Sequence, residues 1–362
     1  MFVAGLYYGP GKAKDVNLLL ADFGDEIVKL KTSGFDFEGN TIRVSVVRMI
    51  CDAPTNSLVL NIKTHNSFYG CRKCICKGKW SVSVTKLNKA RSGERVTYPD
   101  LNAPLRTNCS FRQRRHRNHH NKNGVRSIIE DVIEDMIGDV HLDYIHLVCI
   151  GSYKKVLTCY FSHPFDTIRL SAAILEEISA FRVYVQKFIP SDFARKPREA
   201  KYLNRWKAAE LRLDLLYLCS VIYKKFLSKT RYHHIMLLYV AIRLLLEIDS
   251  CKEDSGYADK LLRLFIKASS KLFGPQFVSF NIQGLYCHLA EGVRKHGSLE
   301  ETSAFPFENK ILIIKNSVHQ GGKDLEQAVR RSDEKDAINL LKLKSRKTNN
   351  EKNAVFLVVM LC

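Results

Sequence analysis

Four stretches with apolar residues at i, i+3, i+4 spacing (170–188, 204–226, 232–246 and 257–273) dominate the second half of the chain and commit it to a mainly helical domain. Their Leu, Ile and Phe residues read as core, and no chemistry is assigned to them. The 362 residues suffice for two or three domains, and 46% apolar with 26% charged residues excludes wholesale disorder.

The N-terminal part has a different grammar. Residues 3–8 read as a strand closed by the turn Gly9-Pro10-Gly11. Asp15 opens a helix over 16–32, and Ser33-Gly34 stops it. Residues 35–37, the turn Glu38-Gly39-Asn40 and a long β-branched run over 41–51 predict a hairpin. Asp52 then stands at the C-terminal end of a strand, followed by helical spacing over 55–65. The class expected is α/β plus α. Residues 127–165 form a mixed, His-containing segment, 166–300 the helical domain, and 301–331 a return toward the first domain. Residues 332–362 are expected to be a charged, poorly ordered tail.

Asp52, strand-borne, and Glu308, helix-borne, flank the helical block. A large helical insert between two such carboxylates suggests a two-metal phosphoryl-transfer core of the ribonuclease-H-like kind. That chemistry needs clustered hard oxygen ligands to hold two Mg²⁺ ions about 3.5–4 Å apart. The plainer alternative makes Asp52 a turn residue before Pro54 and Glu308 a helix-start carboxylate. Both stand open at this level.

Cys71-Arg72-Lys73-Cys74, with Cys76 beyond, is a knuckle that can present two thiolates to one Zn²⁺. No second Cys-x₂-Cys follows, so the remaining ligands must come from His65, Cys76, His141, His146 or elsewhere. Unligated thiols are the plain alternative. Eleven cysteines without a signal peptide suggest a reducing, intracellular compartment. The longest apolar runs, 235–248 and 354–362, fall short of the ~20 residues a bilayer span needs, so no membrane partner is expected.

A net charge of +20 favours a polyanionic partner, DNA first, and is concentrated over 101–129. That stretch holds no acid and seven cations: Arg106, Arg112, Arg114, Arg115, Arg117, Lys122 and Arg126. Residues 81–126 read as a basic, flexible arm whose last six cations bind nucleic acid. The chain has no Gly-rich phosphate loop, Ser-x-x-Lys or Gly-x-Ser-x-Gly pattern, which leaves kinase and serine-hydrolase readings without support.

Several segments then occur in a telling order: Gly5-Leu-Tyr-Tyr-Gly-Pro-Gly-Lys, Ile50-Cys-Asp-Ala-Pro-Thr, His65-Asn-Ser-Phe-Tyr-Gly-Cys-Arg-Lys-Cys, Gly138-Asp-Val-His-Leu-Asp-Tyr-Ile-His-Leu, Arg205-Trp-Lys-Ala-Ala-Glu-Leu-Arg and Ala304-Phe-Pro-Phe-Glu-Asn. Together they resemble transposase-domain proteins related to the CACTA (En/Spm) superfamily of cut-and-paste DNA transposases, over residues 1–331. The resemblance implies a ribonuclease-H-like core with an Asp-Asp-Glu triad, split by a helical insertion, with residues 1–80 as its first portion. It makes Asp52 the second Asp and Glu308 the catalytic Glu, both Mg²⁺ ligands. It equates Cys71 and Cys74 with the family's Cys-x₂-Cys and His146 with its histidine. The family's first Asp has no counterpart in residues 1–9, which hold no carboxylate, so a truncated and inactive copy is expected. The resemblance thus implies a nuclear, transposase-derived DNA-binding protein with Mg²⁺ as ancestral cofactor, Zn²⁺ as structural metal and self-association allowed. The rival expectation is a non-catalytic, zinc-stabilised module that binds nucleic acid or protein.

Overall fold

The computed structural model describes all residues except 1, 2, 4, 10, 12, 82–94, 122–123, 166, 287, 320–321 and 346–362. Among the described residues the protein is mixed α/β and mostly helical, with three two-stranded sheets. The chain divides into two compact units. One gathers Met1–Ile62, Asn108–His141 and Ala304–Cys362, the other Lys63–Thr107 and Leu142–Ser303.

In the first unit, Asp15 accepts a hydrogen bond from the Leu18 N–H at 3.1 Å and caps the helix Val16–Leu19. The expected single helix is interrupted at Leu20 and resumes over Ala21–Thr32. Gly34 follows at φ +71°, where a Cβ would meet the Ile42 carbonyl at 2.6 Å. The hairpin forms, Phe35–Phe37 pairing with Asn40–Ile42, with Asn40 in the strand and the turn reduced to Glu38 and Gly39, both at positive φ. The long strand over 41–51 does not form. Val44 N–H turns to the Leu30 carbonyl at 3.2 Å, Val46 bridges Ile133, and only Met49–Cys51 is strand. That strand pairs with Val140–Leu142, at whose His141 the unit ends. Residues 3 and 5–8 carry no strand either, because apolar composition makes a strand only where a ladder partner exists. Val16, Ile27, Met49, Val59, Phe111, Ile129 and Val140 share one apolar core. The expected disordered tail instead continues as the helix Asp324–Ser345, and the Tyr8 hydroxyl donates to Asp324 at 2.8 Å. The rest of the tail lies outside the described residues.

The second unit is the helical one. Lys229–Leu246 packs along Cys251–Phe273, which ends at Gly274 with φ +86°. The stripe over 204–226 is not one helix. It divides into Ala208–Leu213, a π-helical turn Asp214–Leu218, and Cys219–Phe226. Leu213, Leu215, Leu216, Leu218 and Cys219 are all buried, a wide apolar stripe in which periodicity does not mark the extra residue of the π-helical turn. The turn places Asp214 in a fully buried network. Its carboxylate pairs with Arg182 and accepts hydrogen bonds from Tyr153 at 2.5 Å and Tyr223 at 2.9 Å. The Arg182 guanidinium lies 3.8 Å from the Trp206 ring centroid. Burial first, then Asp214, pushes both phenols far above their usual range and keeps them donors.

His234 is the second buried polar device. Ser269 Oγ donates to the Phe265 carbonyl at 2.8 Å, so it accepts from His234 Nε2–H at 2.7 Å. Nδ1 is then the acceptor of the Tyr160 hydroxyl at 3.0 Å, and the ring is neutral. Burial pushes His234 down to about 4. A lowered histidine binds its proton less readily folded than unfolded, so stability is full above the unfolded value near 6.5 and falls as pH drops toward 4. An upper bound on the loss is about 3 kcal/mol. Denaturant midpoints at pH 7 and pH 4.5 should separate less in His234→Gln than in the parent chain. An equal separation removes this account.

Candidate metal centre

A tight turn prepares the knuckle in the second unit. Gly70 N–H donates to the Ser67 carbonyl at 3.1 Å, and the Tyr98 hydroxyl donates to the carbonyls of His65 at 2.8 Å and Ser67 at 2.7 Å. A Cβ on Gly70 would come within 2.4 Å of the Thr64 carbonyl and 2.7 Å of the Tyr98 hydroxyl, so only glycine fits. Residues 73–75 pair with 104–106: Ile75 N–H donates to Pro104 at 3.0 Å, and Arg106 N–H to Lys73 at 2.8 Å. Arg106, expected in the basic arm, is instead buried, with its Nε donating to the Cys71 carbonyl at 3.1 Å.

The turn brings Cys71 Sγ and Cys74 Sγ to 3.4 Å, and the Cys74 N–H donates to Cys71 Sγ at the same separation. His288, at the start of the helix His288–His296, places Nε2 3.7 Å from Cys71 Sγ. Among the described residues this is the one group of three or more Cys, His, Asp or Glu donors within 4.8 Å of one another, and all three are buried. Tetrahedral Zn²⁺ with bonds of about 2.0–2.3 Å separates its ligands by about 3.3–3.8 Å, which matches these distances. The donors therefore fit zinc. The hydrogen bond from the Cys74 thiol holds Cys71 well below the usual thiol range, with His288 acting in the same direction against burial. The same bond, and burial, push Cys74 up. The pair thus gives its first proton easily and its second reluctantly, until a cation replaces it.

His288 was not legible in the sequence. It lies 217 positions from Cys71, with no motif around it. His146, the histidine matched by resemblance, is engaged differently. Its Nδ1 lies 2.5 Å from Asp143 Oδ2, and its backbone N–H donates to the same oxygen at 2.9 Å. It is not in the three-donor group, and His141 belongs to the other unit. Cys76 is buried in the same small core, but its sulfur is not in the group. The knuckle, expected with the N-terminal α/β portion, belongs to the helical unit.

Asp52 and Glu308 both lie in the first unit. Asp52 Oδ1 accepts from Thr55 N–H at 2.7 Å and caps the helix Ala53–Val59, where the plainer expectation was a turn residue before Pro54. Glu308 sits in the first turn of Phe305–Asn316. Neither belongs to a three-donor group among the described residues.

The basic arm needs the largest correction. Its described part from 108 onward is folded into the first unit, with Phe111, His119 and His120 buried. The Arg112 guanidinium donates to the carbonyls of Glu130 and Ile133 at 2.7 Å and of Glu134 at 3.1 Å. Arg114 pairs with Glu130, and Arg126 with Glu130 at 3.4 Å and Asp131 at 2.7 Å. The acid-free window ended just before the acids that neutralise it. Arg115, Arg117 and the ion-paired Arg126 are exposed, and Arg115 Nε donates only to Gln113 at 2.7 Å among the bonds described. Lys122 lies outside the described residues.

No helix among the described residues is long and apolar enough to cross a membrane. No protein-family model, curated protein or solved structure matches the chain.

Proposed function

We propose that this chain is a non-catalytic, zinc-stabilised, nuclear DNA-binding protein of CACTA-transposase ancestry. The observation that carries the reading is the buried Cys71–Cys74–His288 group, whose donor types and spacings suit a closed structural zinc site. The net charge of +20 supports a polyanionic partner, and exposed Arg115 and Arg117 are the phosphate contacts it offers from the former arm. On this reading the first unit is the remnant of a ribonuclease-H-like core and the second its helical insertion. Asp52 following a strand and Glu308 on a helix within one unit support that assignment.

The non-catalytic part rests on ligand supply. Two Mg²⁺ ions require several clustered carboxylates, while Asp52 is engaged as a helix cap and neither acid joins a three-donor group. Duplex DNA should bind with steep salt dependence and remain uncut in Mg²⁺. Arg115→Gln and Arg117→Gln should each reduce the slope of log K against log salt by about 1, whereas Arg112→Gln should lower stability and leave the slope unchanged. Fluorescence anisotropy across a salt series reads the first outcome, and a nicking assay reads the second. Cleavage lost in Glu308→Ala would overturn the non-catalytic reading; salt-independent or absent binding would overturn the DNA partner.

A further inference from the structure

The three-donor group leaves one corner of a tetrahedron to fill, and one side chain already stands there. Gln283, on the helix Phe280–Leu285, is 3% exposed. Its amide nitrogen lies 3.1 Å from Cys74 Sγ and 3.1 Å from His288 Nε2. Its carbonyl oxygen Oε1 is buried with no hydrogen-bond partner. An amide's oxygen and nitrogen are assigned from their surroundings, and a half-turn about the last bond exchanges them. As placed, the acceptor is the orphaned end, at a cost of about 1–3 kcal/mol, while the donor end faces the metal-ligating atoms. Exchanged, the oxygen takes the position next to Cys74 and His288.

Resting on the zinc reading above, we propose that Gln283 is the fourth ligand, bound through its side-chain carbonyl, so that the centre is Cys₂-His-Gln. Separations of 3.4 and 3.7 Å among the sulfurs and imidazole, and 3.1 Å from the amide to two of them, match a tetrahedron with edges of about 3.3–3.8 Å to within a few tenths of an ångström. Cys76 is the rival fourth ligand. It shares the core around Cys71 and Cys74, but its sulfur is outside the donor group. The two alternatives differ in thiolate number, two against three, which makes them separable. A carbonyl is a weaker partner for zinc than a thiolate, so this centre should exchange metal more readily than a Cys₃-His site.

The test uses the full chain and its Gln283→Ala, Gln283→Glu and Cys76→Ser variants. Each is loaded with Zn²⁺ for stoichiometry and chelator competition, and with Co²⁺ for absorption, whose sulfur-to-metal band grows with each thiolate. The parent should bind one zinc per chain with a two-thiolate cobalt spectrum. Gln283→Ala should lose at least about tenfold in affinity. Gln283→Glu should retain or exceed parental affinity, because it keeps an oxygen ligand; a glutamine that merely donated a hydrogen bond to sulfur would be mimicked by neither substitution. Cys76→Ser should change neither affinity nor band. Unchanged affinity in Gln283→Ala, or a sulfur band diminished by Cys76→Ser, overturns this assignment alone. A parent chain that binds no zinc overturns it together with the reading it rests on. If Gln283→Ala fails to fold, Gln283→Glu decides: loss of zinc there overturns the proposal.

Discussion

Zinc removal from the full chain, or Cys71→Ser, is expected to lower the melting temperature of the knuckle-bearing unit by about 5–11 °C. A ligand bound at a hundred times its dissociation constant contributes about 2.7 kcal/mol, and about 1 kcal/mol shifts a domain of this size by about 2–4 °C. The effect is large because the small core of Cys71, Cys74, Cys76, Val96 and Tyr98 is built around the sulfurs themselves. Without a metal, Cys74 keeps a thiol proton in a buried site and the Cys71–His288 contact has only a weak hydrogen bond to hold it. Calorimetry with and without chelator, alongside metal analysis, reads the result. A chain without stoichiometric zinc, whose melting is the same in Cys71→Ser, would refute the metal's structural role.

Asp214→Ala is expected to be the most damaging single change in the helical unit, at about 3–5 kcal/mol, because it leaves the Arg182 guanidinium charged and unpaired in a fully buried site. It also strips the acceptor from Tyr153 and Tyr223. The combined replacement Arg182→Met with Asp214→Leu should be far milder than Asp214→Ala, since it removes both charges and keeps apolar volume. Urea unfolding of the three chains forms the comparison. A double variant as unstable as Asp214→Ala would mean that packing around Trp206, rather than the buried charge, dominates. Either way the network is a structural device, with the Asp214 carboxylate taken up by Arg182, Tyr153 and Tyr223.

The sequence was most legible where local chemistry suffices. Asp15 at a helix start, the hairpin turn at Glu38-Gly39, the stop at Ser33-Gly34 and the helices read over 232–246 and 257–273, each begun a few residues earlier in the structure, depend on neighbours within a turn or two. The knuckle was legible for the same reason, since two cysteines three apart can meet on one turn whatever the rest of the chain does. The plainer alternative in the sequence makes Asp52 a turn residue before Pro54; its role as a helix cap shows only in the hydrogen bond from Thr55 N–H.

What the sequence by itself determined is therefore the mixed α/β class with a dominant helical part, the pair Cys71 and Cys74, and an excess of positive charge. Tertiary structure alone decided the rest. It brought His288, and not His146, beside the knuckle, because which side chains converge depends on the fold and not on their order in the chain. It broke the 41–51 run, because a strand exists only where another offers a ladder. It gave Arg112, Arg114 and Arg126 partners within their own unit, because Glu130, Asp131 and the carbonyls after them lie within reach in space, although Arg126 itself stays exposed. Charge is counted along the chain, but it is neutralised in three dimensions.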